Sequence, residues 1–244
     1  MLLRQRFCDQ HGGGGESAAG RLLNRLFVAA LLALALPAHA GAQTSLCESG
    51  RQQSPVDIAA SQRQALPALR FDYRAGTARV QHDGHTVRLR VAAGSRLLIG
   101  GQPFTLQQLH FHLPGGDRLR GEDFPMAMHL LHKSRSGQLL ALVLWFRLGA
   151  EHPALAGLLP DLPAQGEAER RLALDPAALL PAERGYFAYQ GSLTAPPCTE
   201  GVQWLIAKQP QTLSAAQLQR LAGLIAPNAR EVQPLNGRVV RESL

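Results

Sequence analysis

Cysteine, aromatic side chains and long apolar runs are all scarce in this sequence of 244 residues. Three cysteines, Cys8, Cys47 and Cys198, allow at most one disulfide within the chain. Aromatic residues make up only 5% of the chain. The arginines are scattered and no RNA- or DNA-binding motif is present. The net charge of +7 therefore reads as a solvated basic surface, not a nucleic-acid footprint. The longest apolar run, Leu26 to Leu36, falls short of the roughly 20 residues a membrane span needs. No internal repeat, low-complexity tract or second domain boundary is evident. A hydrophobic content of 45% is enough for a sizeable core.

The short apolar run has its own meaning. Arg21 and Arg25 precede it, and Pro37-Ala38-His39-Ala40 follows. A charged start, an apolar centre and an Ala-x-Ala site form a secretory leader, so residues 1–40 are expected to be removed. The leader carries Arg4, Arg6, Arg21 and Arg25 against Asp9 and Glu16, a charge of +2, which leaves about +5 on the mature chain. Cys8 leaves with it. Cys47 and Cys198 remain, an even pair that favours a disulfide in an oxidising compartment; the alternative is two buried free thiols. The expected location is periplasmic or secreted, without stable insertion in a membrane.

The remaining sequence reads as mainly β. Arg79 to His82, an Asp83-Gly84 turn and His85 to Val91 form a hairpin signal. Leu97-Leu98-Ile99 followed by Gly100-Gly101 is a second. Leu139 to Leu148 is nearly continuously apolar, as in a central strand buried on both faces. Val202 to Ala207 is a further strand. Helical signals are short: Pro153 to Leu159, Pro176 to Leu180, and Ser214 to Leu224 with a Ser214/Gln217 capping box.

Chemistry concentrates in Leu109-His110-Phe111-His112 and Met128-His129-Leu130-Leu131-His132. In a strand, His110 and His112 share one face, and so do Ala127, His129 and Leu131. If the strands are neighbours, three imidazoles converge and leave an open fourth position, the arrangement of a catalytic zinc site. His132 has the opposite parity and reads as a hydrogen-bonded core residue. A cupin barrel also uses His-x-His and a later histidine, but it wants a Glu soon after the pair, and Gly115-Gly116 supplies none.

From Gln53-Ser54-Pro55-Val56-Asp57-Ile58 to Gln233-Pro234-Leu235-Asn236-Gly237-Arg238 the chain resembles the α-class carbonic anhydrases. Between these ends stand Asp83-Gly84-His85-Thr86, Gln108 to His112, Met128 to His132 and Gly191-Ser192-Leu193-Thr194-Ala195-Pro196-Pro197-Cys198, in order and at family-like spacing. The resemblance implies one domain over residues 41–244. It implies a twisted, mostly antiparallel sheet of about ten strands with short peripheral helices, and hydration of carbon dioxide to bicarbonate. It makes His110, His112 and His129 the zinc ligands, His85 the proton shuttle and Thr194 the hydroxyl that orients the attacking oxygen. It places Gln108, Asn228 and Arg230 behind the site. Leu131, Leu142, Leu193 and Trp204 become the wall of the carbon dioxide pocket. Cys47 and Cys198 match a disulfide of exported members. A homodimer is compatible with this reading.

The sequence also lacks two residues that the family usually has. Gly116 stands where members carry the Glu that orients the threonine hydroxyl. Ala127 stands where they carry the Glu that holds the third histidine. Asp117, Glu122 and Asp123 are the nearby acids available to compensate. The aromatic segment that members carry before the first Cys is missing too, which opens the rim of the site. The expectation is an exported zinc enzyme with weakened catalysis. The rival reading is a zinc-retaining relative that binds a ligand or partner.

Overall fold

The computed structural model describes residues 46–244; the expected leader lies outside the described residues. Seven strands build the part of the fold that matters for the site: β1 (Gly76–His82), β2 (Val87–Val91), β3 (Gln102–His112), β4 (Met126–Ser134), β5 (Leu139–Leu148), β6 (Tyr186–Ser192) and β7 (Glu200–Ala207). They lie side by side in the order β1-β2-β3-β4-β5-β7-β6. Arg170–Leu174 extends the β1 edge. Arg241–Ser243 and then Gln62–Gln64 extend the other. With three short strands off this path the sheet has thirteen strands, and a separate pair joins Asp57–Ile58 to Arg118–Leu119. The expected ten or so are the main path; the extra pieces are two to four residues long and too short to show a hydrophobic pattern.

Pairing is mostly antiparallel, with β5 and β7 parallel at the centre. The two expected hairpins form. Asp83 shapes the first, its Oδ1 accepting from the backbone N–H groups of His85 at 3.0 Å and Thr86 at 2.8 Å. Gly100 and Gly101 turn the second with φ of +57° and +81°, values that glycine adopts without steric cost. The helices are short and peripheral. The one at Ala215–Ala222 begins with the Ser214/Gln217 capping box.

β5 separates two cores, and its alternation decides which residue belongs to which. Leu140, Leu142, Leu144 and Phe146 pack into the larger core with Leu109, Phe111, Met128 and Leu130. Ala141, Val143 and Trp145 pack into the smaller one with Val56, Phe124, Ala127, Tyr189 and Trp204. Each fully buried Leu, Phe or Met contributes about 1.5–3 kcal/mol by leaving water.

A bulge in β3 sets the face on which the chemistry lies. The register against β4 shifts between Leu106 and Gln108, so Gln107 is the extra residue. Before it, even-numbered Phe104 and Leu106 point to the larger core. After it, odd-numbered Leu109 and Phe111 do. The inversion turns Gln108, His110 and His112 to the opposite face.

Candidate metal centre

His110 and His129 are directly opposite in the β3–β4 ladder, and His112 faces Ala127. Strand parity therefore brings three imidazoles to one point. Their candidate ligand nitrogens all lie within 4.8 Å of one another, the one such group of three among the described residues. His110 Nε2 and His112 Nε2 are 3.1 Å apart, close to the edge of about 3.3 Å expected for two imidazoles on a tetrahedral zinc at about 2.0–2.1 Å. The ring nitrogen enclosed in protein is Nδ1 for His110 and His112 and Nε2 for His129. The nitrogens left to hold a metal are thus Nε2, Nε2 and Nδ1.

Electrostatics favour the ligand form. Burial holds His110 and His129 well below the ordinary imidazole value, with neighbouring histidines of the group adding to it. Burial and then His85 bring His112 down to about 4, against the opposing effect of Asn228. All three are neutral at pH 7 and present lone pairs, as a zinc site requires.

The three rings close the bottom of a cavity of about 210 Å³. Leu131, Ala141, Leu193, Val202 and Trp204 form its apolar wall; His85, Gln108 and Thr194 line its polar side. His85 is exposed at the rim. Leu142 is not in this wall. It points into the larger core and is 1% exposed, while Ala141, opposite Leu131 in the ladder, takes the place expected for it. A run apolar on both faces gives no alternation from which to choose between these neighbours.

The loop that carries Thr194 is tied down from outside. Cys47 and Cys198 form the expected disulfide, with Cα atoms 4.9 Å apart. Gln53 Nε2 donates to the Cys198 carbonyl at 3.1 Å and to Glu200 Oε1 at 2.9 Å. Arg230 grips the same strap, donating to Gln53 Oε1 at 2.7 Å and to the Ser54 carbonyl at 3.0 Å. It does not line the cavity and holds this strap from outside. Asn228 joins the end of β3 to neighbouring backbone. Its Oδ1 accepts from Leu113 N–H at 2.9 Å and its Nδ2 donates to the carbonyls of Phe111 and His85, both at 3.1 Å. It stitches the end of β3 to the His85 turn. Gln108 lines the cavity, but His110 Nδ1 is buried without a partner, so Gln108 does not hold it. His132, on the other face, pairs its Nε2 with Tyr73 Oη at 2.7 Å.

The two positions where the resemblance leads one to expect glutamates have distinctive surroundings. Gly116 has φ of +86°, a conformation that L side chains rarely adopt. Its backbone is shaped for glycine, and a carboxylate cannot simply be put back. Gly115 packs against Ala127 so closely that a Cβ on it would lie 3.3 Å from the Ala127 Cβ. His129 Nε2 is enclosed without a hydrogen-bond partner.

Residues 36–244 match the family model described as eukaryotic-type carbonic anhydrase. A carbonic anhydrase of Pectobacterium carotovorum is 39% identical over 214 residues, covering 84% of this chain and 86% of that protein. The α-carbonic anhydrase of Photobacterium profundum superposes with a TM-score of 0.78 at 36% identity, covering 82% of this chain and 93% of that one. The α-carbonic anhydrase of Thermovibrio ammonificans, solved with the inhibitor sulfanilamide, gives a TM-score of 0.78 at 34% identity, over 80% of this chain and 89% of that one.

Proposed function

The chain belongs to the eukaryotic-type, or α-class, carbonic anhydrases, whose zinc-dependent reaction is the reversible hydration of carbon dioxide to bicarbonate and a proton, and from that premise we propose how its residues divide the work. His110, His112 and His129 hold the zinc, a reading carried by the convergence of three neutral imidazoles below one cavity. Bound there, zinc supplies Lewis-acid chemistry, lowering the pKa of water to about 7 so that a nucleophile exists at neutral pH. Leu131, Leu193 and Trp204, with Ala141, offer carbon dioxide an apolar surface beside the rings. Thr194 reaches the same space from its anchored loop and directs the attacking oxygen by a hydrogen bond. The reaction releases one proton per bicarbonate. His85 is exposed at the rim and carries that proton to solvent, a task suited to an imidazole.

We place the mature protein in the periplasm or outside the cell. The Cys47–Cys198 bond and the leader-like residues 1–40 support this. Among the described residues no helix is long and apolar enough to cross a membrane.

Gly116 and Ala127 favour slower turnover than in members that keep both glutamates, and they also support a second reading, a zinc-retaining binding protein. One experiment separates them: the carbon dioxide hydration rate of purified mature protein of known zinc content, with and without a chelator. A rate that scales with zinc content and is lost to the chelator is the expected result. Stoichiometric zinc with no hydration above background gives the binding protein.

A further inference from the structure

Of the three acids near the replaced glutamates, two are spent at the surface. Glu122 pairs with Arg147 at 2.9 Å and Asp123 with Arg118 at 2.6 Å, all four side chains solvent-exposed. Asp117 is different. It is 1% exposed. Its Oδ1 accepts from Val56 N–H at 2.9 Å and from Tyr189 O–H at 2.8 Å, which fixes the carboxylate plane. Its Oδ2 is buried and has no partner.

Two more buried atoms without partners border the same small core, and both suit a carboxylate. One is His129 Nε2, which carries the ring proton when Nδ1 takes the metal. The other is Trp145 Nε1, which can only donate. Trp145 is the ladder partner of Ala127, and His129 is the next residue of β4 on that face. Asp117 borders this core through Val56 and Tyr189, both members of it. Tyr189, which donates to it, stacks on Trp204 at 5.7 Å, and Trp204 stands edge-on to His129 at 5.1 Å. The backbone closes the circuit: Asp117 N–H bonds to the carbonyl of Gly115, the residue packed on Ala127. Unpaired buried polar groups each cost free energy. One acceptor and two donors bordering one apolar core are partners of the kind and number that a single enclosed water needs.

We infer that Asp117 is the carboxylate that positions His129 in this chain, reaching its Nε2–H through one enclosed water also held by Trp145, in place of the glutamate that Ala127 replaces. The inference rests on His129 being a zinc ligand. Asp117 is a positioning residue: it fixes the tilt and tautomer of the imidazole and raises its basicity toward the metal. Burial holds the Asp117 carboxyl up near 7, against the opposing effect of the hydrogen bonds from Val56 and Tyr189.

The test is Asp117→Asn in the full mature protein. Asn keeps an acceptor for Val56 and Tyr189 but turns an N–H toward a site that already holds two donors. Zinc affinity, read by chelator competition, should fall about 10–100-fold, as for other lost partners of metal-bound histidines. Melts of the zinc-free proteins at the pH of the titration establish that both are folded. Adding Ala127→Glu should raise zinc affinity more in Asp117→Asn than in the parent, because the glutamate supplies an acceptor that the parent already has; a merely structural role for Asp117 would give equal gains in both. Equal zinc affinity in parent and Asp117→Asn overturns the inference. Should Asp117→Asn fail to fold, NMR of the zinc-loaded parent with labelled histidine decides. An exchange-protected His129 Nε2–H with a cross-peak to bound water is expected, and a solvent-exchanging proton with no such cross-peak overturns the proposal. If the parent takes up no zinc, the ligand assignment has failed first, which is a distinct outcome.

Discussion

β4 buries two histidines three residues apart, and the two faces of the strand put them to different uses. His132 is fully enclosed and bonded to Tyr73 at 2.7 Å. His129 is 3% exposed and bonded to nothing beyond its ring neighbours. Both are held below the ordinary imidazole value, chiefly by burial. Residue type, burial and charge state are therefore shared. The difference is the surroundings. One ring meets a hydroxyl that takes up its Nε2 and leaves only Nδ1 enclosed without a partner. The other meets two more imidazoles and a cavity. A buried histidine with its partner in place is finished structure, whereas one aimed at its own kind is built to receive something.

The sharpest way to break this comparison is to remove each ring in turn. His129→Ala should abolish stoichiometric zinc, a loss in affinity larger than the roughly 10–100-fold that an outer partner is worth. Metal analysis checks it. His132→Ala should retain one zinc per chain and lose about 1–3 kcal/mol of stability through the stranded Tyr73 hydroxyl and the cavity. Equal zinc loss in both variants would erase the distinction between the faces.

β5 offers the same contrast one strand over. Leu142→Ala should cost about 2–5 kcal/mol by emptying the larger core, with the hydration rate per zinc unchanged. Ala141→Leu should cost less, about 1–3 kcal/mol, and lower kcat/KM because it narrows the cavity wall. Thermal melts and steady-state hydration kinetics together read both.

Acid sharpens the comparison further. In the folded state His112 and His132 lie at about 4, below the 6.5 of an ordinary imidazole. Between those values the unfolded chain binds protons that the folded chain refuses, so stability falls as pH falls, by about 1.4 kcal/mol per site and pH unit at most. Asp117 works in the opposite sense. Its folded value near 7 lies above 3.8, so the folded chain holds a proton through that window and stability falls as pH rises. Zinc-free Asp117→Asn should therefore lose stability more steeply than the parent between pH 6.5 and 4 in denaturant titrations. His132→Phe should lose it less steeply.

The smallest effect belongs to Gly116. Gly116→Ala should cost about 1–2 kcal/mol, because φ of +86° suits only glycine. Gly116→Glu bears the same strain, so a carboxylate placed there comes with a loss of stability that a melt will show.

Much of this was legible in the residues. His110, His112 and His129 needed only the two-residue period of a strand and an adjacent pairing. The Asp83-Gly84 turn, the capping box and the short apolar helices read directly from local chemistry. The parity of Leu142 did not, because a strand apolar on both faces hides its register. The Ser136-Gly137 turn, which sets Leu131 opposite Ala141, was the signal that could have fixed it. Asp117 was visible as an acid but not as a buried one. Its place depends on how Gly115 and Gly116 turn the chain under β4, and only tertiary packing decides that.

Anomalous scattering at the zinc edge from crystals of the zinc-loaded mature protein tests the central claim most directly. One peak is predicted, about 2.0–2.1 Å from His110 Nε2, His112 Nε2 and His129 Nδ1, with His132 on the far side of the strand bound to Tyr73 alone. A folded, zinc-treated protein with no peak among these three nitrogens, or with its peak on His132, would contradict it.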